Sequence, residues 1–133
     1  MCEIFCAGIV SDKKTIVFLE DEPELLTTVG VLLRDQGYNV IDAQRAEDAL
    51  VFLQKSIPDL FLVDIKLPGI DGFDFFEIVR KMESCTGVPF VFLTAYNSLK
   101  AKSLAKREGA TEYITKPFDF EYLVTRIRDI VPP

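Results

Sequence analysis

The sequence predicts an α/β fold: a doubly wound five-stranded parallel sheet, order 2-1-3-4-5, with helices on both faces. Three observations predict it. Short apolar runs, too brief for helices and flanked by turn residues, alternate five times with segments of helical spacing. No linker or internal repeat interrupts the alternation. Right-handed crossovers then leave few strand orders, of which 2-1-3-4-5 is one.

Residues 1–13 carry no clear pattern and read as an N-terminal extension; residues 14–131 read as one domain. Lys14 to Leu19 is the first buried strand and ends on Glu20-Asp21-Glu22. Pro23 then opens a helix, where its missing N–H is harmless. Leu25, Val29, Leu32 and Leu33 give that helix an apolar stripe, and Gly37 closes it. Tyr38–Ile41 is the second strand, and Ala46, Ala49, Leu50 and Leu53 mark the second helix, followed by Pro58. The third strand, Leu60 to Val63, stops abruptly on Asp64 before a Pro68-Gly69 turn. Asp71-Gly72 leads into a helix through Phe76, Val79 and Met82 that ends near Gly87. Val88–Leu93 is the fourth strand, ending on Thr94-Ala95. A lysine-rich fourth helix follows through Leu99, Leu104 and Ala105 to Gly109. Glu112–Thr115 is the fifth strand, ending on Lys116-Pro117, and Phe120, Leu123, Ile127 and Ile130 mark the last helix.

At 133 residues the chain fits one domain of the usual size, about 100–150 residues. A 49% hydrophobic content rules out disorder, and a formal charge of −6 argues against direct binding to nucleic acid or anionic membrane. No apolar run nears the ~18 residues of a membrane span. The N-terminus lacks the basic start of a signal peptide, and the 3 cysteines (Cys2, Cys6, Cys85) match no metal spacing. A cytoplasmic protein with reduced thiols is the expectation. There is no histidine, which excludes Ser-His-Asp chemistry and His-ligated zinc. Any phosphohistidine in the function must belong to another protein.

In open parallel sheets, ligands sit beyond the carboxyl ends of the strands. In the predicted order, Glu20, Asp21, Asp64, Thr94 and Lys116 all face one crevice there. Clustered carboxylates repel, so they either hold protons or bind a hard cation. Mg2+ fits best, because it needs only one or two carboxylates and keeps several waters. An ammonium and a hydroxyl facing such a metal site describe a phosphoryl-binding site, with Asp64 as the nucleophile. Each residue alone has an ordinary reading as a cap or a solvated tip; together on the correct strand ends they do not.

These residues and their settings resemble a response-regulator receiver domain of two-component signalling. The resemblance covers residues ~14–131 and rests on Leu19-Glu20-Asp21-Glu22, Asp64 with Leu67-Pro68-Gly69-Ile70-Asp71-Gly72, Thr94-Ala95, and Tyr113-Ile114-Thr115-Lys116-Pro117-Phe118. It implies that Asp64 is the phosphoacceptor and that Asp21, Asp64 and the Lys66 carbonyl bind Mg2+, with Glu20 acting through water. Thr94 then matches the switch hydroxyl, Tyr113 the switch aromatic and Lys116 the phosphoryl-binding lysine, with a cis Lys116-Pro117 bond. The first acid is Glu where the family often has Asp. The implied partners are a sensor histidine kinase or phosphotransfer protein, and the output is either a partner docked by a receiver working alone or a C-terminal effector domain of a longer polypeptide. The chain is then no enzyme in the ordinary sense, catalysing only its own phosphorylation and slow self-dephosphorylation.

Alternatives are a receiver-like interaction module acting without phosphorylation, and an aspartate-nucleophile phosphatase, which would want an acid where Lys66 stands. A flavodoxin-type cofactor binder would want a phosphate loop where the acidic run Glu20–Glu22 stands. The signalling face is expected on the fourth helix, fifth strand and last helix. That helix is basic through Lys100, Lys102, Lys106 and Arg107. Receivers that dimerise there use cross-subunit ion pairs; Glu112 and Arg126 match one, but Lys100 and Tyr122 stand where acids are usual. A monomer or weak dimer is therefore expected. Lys66 and Tyr96 flank the approach of a hydrolytic water and offer it no carboxylate or amide, which favours a long-lived phosphorylated state.

Overall fold

The computed structural model describes residues 12–95, 102–103, 106 and 109–133. Five parallel strands stand in the order β2-β1-β3-β4-β5: β1 Thr15–Leu19, β2 Asn39–Ala43, β3 Leu60–Val63, β4 Phe90–Thr94 and β5 Glu112–Thr115. Around them pack α1 Pro23–Asp35, α2 Ala46–Leu53, α3 Gly72–Lys81 and the last helix, α4 Phe120–Ile130. Of the predicted lysine-rich helix, Lys102, Ser103 and Lys106 are helical, and the rest lies outside the described residues.

The central strands β1, β3 and β4 read as near-continuous apolar runs because both faces are covered. On one face Val17, Phe61, Val63, Phe90 and Phe92 pack against α2 and α3. On the other, Ile16, Phe18, Leu60, Leu62, Val91 and Leu93 meet α1 and α4. The first face is aromatic-rich: Phe76 stands edge-on to Phe90 with centroids 4.7 Å apart, and Phe73 tilts onto Phe92 at 5.1 Å. α1 buries Val29 and Leu33 but leaves Leu25 and Leu32 only partly covered.

The ends of α1 and α3 follow local chemistry. Gly37 ends α1 at φ 103°, a left-handed turn that glycine adopts without a Cβ clash. Asp71 caps α3 by accepting the Asp74 N–H at 2.8 Å.

One helix end differs from the sequence reading: α3 stops at Lys81, not near Gly87, and a single 3-10 turn, Glu83–Cys85, follows. Arg80 explains the break. Its guanidinium donates to the carbonyls of Cys85, Thr86 and Val88, which satisfies a turn rather than a further helical stretch. Strand limits also shift: β2 runs on to Ala43 through pairing with β1, and β4 starts at Phe90 and includes Thr94.

Candidate phosphoacceptor site

The strand ladders place the site residues one step beyond the strands that carry them. The Glu20 N–H donates to the Ala43 carbonyl, the Asp64 N–H to the Leu19 carbonyl, and the Lys116 N–H to the Thr94 carbonyl, at 2.8–3.1 Å. The backbone under each group is therefore held by its neighbouring strand, while its side chain projects past the sheet edge.

There Glu20, Asp21 and Asp64 converge, each offering one carboxylate oxygen, and these oxygens all lie within 4.8 Å of one another. Glu20 is wholly buried and Asp64 nearly so, while Asp21 is exposed. Lys116 reaches in from the end of β5: its Nζ lies 2.8 Å from Asp64 Oδ2 and 2.7 Å from Glu20 Oε1. It also touches Glu22 Oε1 at 3.3 Å. The other Asp64 oxygen, Oδ1, accepts the Lys66 N–H at 3.1 Å.

Burial raises the Glu20 carboxyl to about 7, with repulsion from Asp64 adding to the rise and the Lys116 ammonium opposing it. The same two carboxylates push the Lys116 ammonium upward against its own desolvation. Glu20 Oε1 is buried and, despite its short distance to Lys116, lacks an aligned hydrogen-bond donor. Three hard oxygen donors with one such orphan suit a small divalent cation.

Thr94 is buried at the end of β4, beside Lys116 through the strand pairing. Tyr113 lies inside β5, half-buried, with its ring 6.3 Å from Phe92 and the Lys102 ammonium 5.8 Å above it. Lys66 is exposed on a cleft of about 620 Å³ that runs beside the acids and is also lined by Asp21, Asp71 and Phe73. Tyr96, Lys100 and Arg107 lie outside the described residues. The structure thus brings Glu20, Asp21, Asp64 and Lys116 together, with Thr94 alongside and Tyr113 three residues back along β5. The Lys116-Pro117 peptide bond is cis.

Two residues had no assigned role in the sequence reading. Glu22 was visible only as part of an acidic run, yet it is the third carboxylate on Lys116. Gly72 looked like an ordinary helix start. A Cβ there would stand 2.5 Å from the Asp64 carbonyl oxygen and 2.6 Å from Ile65 Cα, so only glycine lets α3 press against the segment that carries Asp64. The Asp-Gly pair at a helix entry was the one available signal.

Residues 16–128 match the response regulator receiver domain family. The chain belongs to that family. It is 34% identical over 116 residues to the transcriptional regulatory protein TrcR of Mycobacterium tuberculosis, covering 87% of this chain and 44% of TrcR. A 14.6 kDa protein of Leptolyngbya boryana is 33% identical over 104 residues, covering 78% of this chain and 79% of that one. Among solved structures, the non-phosphorylated HemR receiver domain of Leptospira biflexa superposes with a TM-score of 0.84 at 30% identity, covering 91% of this chain and 96% of that one. This receiver domain spans about half the length of the transcriptional regulators it matches, 44% to 52% of each. Among the described residues, no helix is long and apolar enough to cross a membrane.

Proposed function

We propose that this receiver domain is a phosphorylation-controlled switch whose phosphoacceptor is Asp64. One observation carries the reading. The Asp64 carboxylate is nearly buried, has one oxygen held by the Lys116 ammonium at 2.8 Å, and shares a cluster with two further acids. A carboxylate so placed can attack phosphorus, and the ammonium is in reach of the oxygens that gain charge. An oxygen of Asp64 forms the new O–P bond as the P–N bond of a partner's phosphohistidine breaks, and the imidazole leaves with the bonding electrons. Glu20, Asp21, Asp64 and the Lys66 carbonyl are the groups that would hold Mg2+, which neutralises phosphoryl charge when bound.

The added charge, about −1.5 to −2, then draws the Thr94 hydroxyl and Lys116 toward it. Tyr113 follows into the space behind Thr94. Moving a two-state equilibrium from 1:99 to 99:1 takes about 5.5 kcal/mol. Charge-assisted hydrogen bonds contribute about 1.5–3 kcal/mol each, so Thr94 and Lys116 together reach that range. The phosphoryl source is a sensor histidine kinase or phosphotransfer protein, and the output is an effector domain or docked partner in the cytoplasm. Arg126 binds Glu112 and Asp129 of its own chain. That spends the group expected to bridge two copies and supports a monomer or weak dimer. Lys66 at the cleft, with Tyr96, is assigned the shielding that slows self-dephosphorylation.

Incubation with acetyl phosphate and Mg2+ tests the central claim. Wild type gains one phosphoryl group by intact mass, and Asp64→Asn gains none. Uptake by Asp64→Asn at the wild-type rate would assign the nucleophile elsewhere, and no uptake by wild type would favour a phosphorylation-independent interaction module. For the lifetime, decay of the phosphoprotein in Mg2+ is expected to quicken about tenfold in Lys66→Asn with Tyr96→Glu, short of the roughly hundredfold or more of a fully positioned general base. Unchanged decay would remove these two side chains as the cause.

A further inference from the structure

Lys116 is more heavily engaged than phosphoryl binding requires. An ammonium has three N–H donors and no acceptor. At rest three carboxylates surround it: Glu20 at 2.7 Å, Asp64 at 2.8 Å and Glu22 at 3.3 Å. Asp64 and Glu22 accept hydrogen bonds from it, and Glu20 stands in ion-pair contact without an aligned bond. An incoming phosphoryl oxygen therefore finds every side of the ammonium already faced by a carboxylate. One partner has to yield.

The three partners differ in what surrounds them. The side chains of Glu20 and Asp64 are 0% and 5% exposed, so losing the ammonium would leave a buried charge uncompensated. Glu22 is 64% exposed, and water replaces its partner at small cost. Its contact is also the longest of the three. The Glu22 main chain is fixed separately, since its N–H donates to Glu20 Oε2 at 3.2 Å. The side chain can thus swing away without disturbing the acidic cluster below it.

We propose that Glu22 is a positioning residue that occupies one of the two hydrogen-bonding N–H groups of Lys116 at rest and yields it to the incoming phosphoryl group. The inference rests on the reading of Asp64 as phosphoacceptor. In the reaction with acetyl phosphate, an Asp64 oxygen–phosphorus bond forms and the bond from phosphorus to the acetyl oxygen breaks. Acetate leaves with the electron pair, and Lys116 stays protonated throughout, exchanging a hydrogen bond to Glu22 for one to phosphoryl oxygen. Glu22 acts as a brake: it competes for the donor that the product needs.

The test compares wild type with Glu22→Gln, Glu22→Asp and Glu24→Gln in the full chain. Glu24 is an exposed acid in the same first helical turn, so its substitution removes the same unit of charge from the same region. Phosphorylation rate with acetyl phosphate and Mg2+ is one readout; affinity for beryllofluoride, a phosphoryl mimic, by fluorine NMR titration is the other. Glu22→Gln is expected to raise both by about threefold to fivefold, the span of an exposed ion pair. Glu22→Asp should fall between it and wild type, and Glu24→Gln should leave both within a factor of about 1.5. Equal gains in Glu22→Gln and Glu24→Gln would assign the effect to the general field and overturn the proposal. No gain, or a loss, in Glu22→Gln would also overturn it. If wild type itself takes up no phosphoryl group, the phosphoacceptor reading fails instead.

Discussion

Two clusters in this receiver domain have the same composition, one cation among several carboxylates. Lys116 meets Glu20, Glu22 and Asp64 beyond the strand ends; Arg126 meets Glu112 and Asp129 on the outer face of α4. Their shortest contacts are both 2.7 Å. Surroundings separate them. Glu20 and Asp64 have almost no water, so their mutual repulsion and desolvation are unscreened, whereas Arg126 and its partners are 25–61% exposed. Contact distance therefore does not distinguish the two clusters; burial does.

Removing the cation from each cluster sharpens the comparison most. Lys116→Met leaves two buried carboxylates without a counter-charge and is expected to cost about 3–5 kcal/mol in metal-free urea unfolding. Arg126→Met should leave the urea midpoint at its wild-type value. Equal shifts in the two variants would mean that burial is not what sets these clusters apart.

Much of this contrast was legible in the sequence, for a physical reason. An apolar run that stops on an acid or a lysine marks both the strand and the place where it meets solvent, so Asp64, Glu20-Asp21 and Lys116 declared themselves with their strands. Parallel order then set them side by side. Side-chain reach was not legible. Nothing in a linear acidic run says that Glu20 is buried against Lys116 and Asp64, that Asp21 faces the cleft and that Glu22 returns to Lys116. The pairing of Arg126 was also hidden, because one residue pattern suits a contact within a chain or between two. The end of α3 was missed because Arg80 draws three carbonyls from a turn beyond it.

The next effect is a pH dependence confined to the buried cluster. Glu20 sits at about 7 in the folded chain against 4.5 as a free group, raised first by desolvation. The folded chain then binds more protons than the unfolded one between these values, so stability falls as pH rises from about 4.5 to about 7. At 1.36 kcal/mol per unit, that loss is on the order of 3 kcal/mol. Glu20→Gln should lack it, so that metal-free unfolding curves for the two proteins diverge from pH 5 upward and become parallel above pH 8. Curves parallel throughout would show that Glu20 is charged at no cost.

The smallest effect separates a glycine under the site from one at the surface. Gly72 and Gly87 both have negative φ, so adding a methyl group strains neither backbone conformation. Their surroundings differ. A Cβ at Gly72 would meet the Asp64 carbonyl oxygen and Ile65 Cα at 2.5 and 2.6 Å, while one at Gly87 would meet nothing within 4 Å. The atoms opposing Gly72 are backbone, so no rotamer change relieves the overlap. Either α3 moves outward or the Asp64 segment is pushed from its place beside Leu19. Overpacking of this kind costs about 1–3 kcal/mol. Gly72→Ala should therefore lower the urea midpoint and slow phosphoryl uptake, because the carboxylate that shifts is the one Lys116 holds. Gly87→Ala should leave uptake unchanged and stability unchanged or slightly raised, since it only restricts the unfolded chain. If Gly72→Ala lost stability but kept full uptake, α3 would be the part that yields, and the Asp64 segment would be anchored by its strand pairing alone.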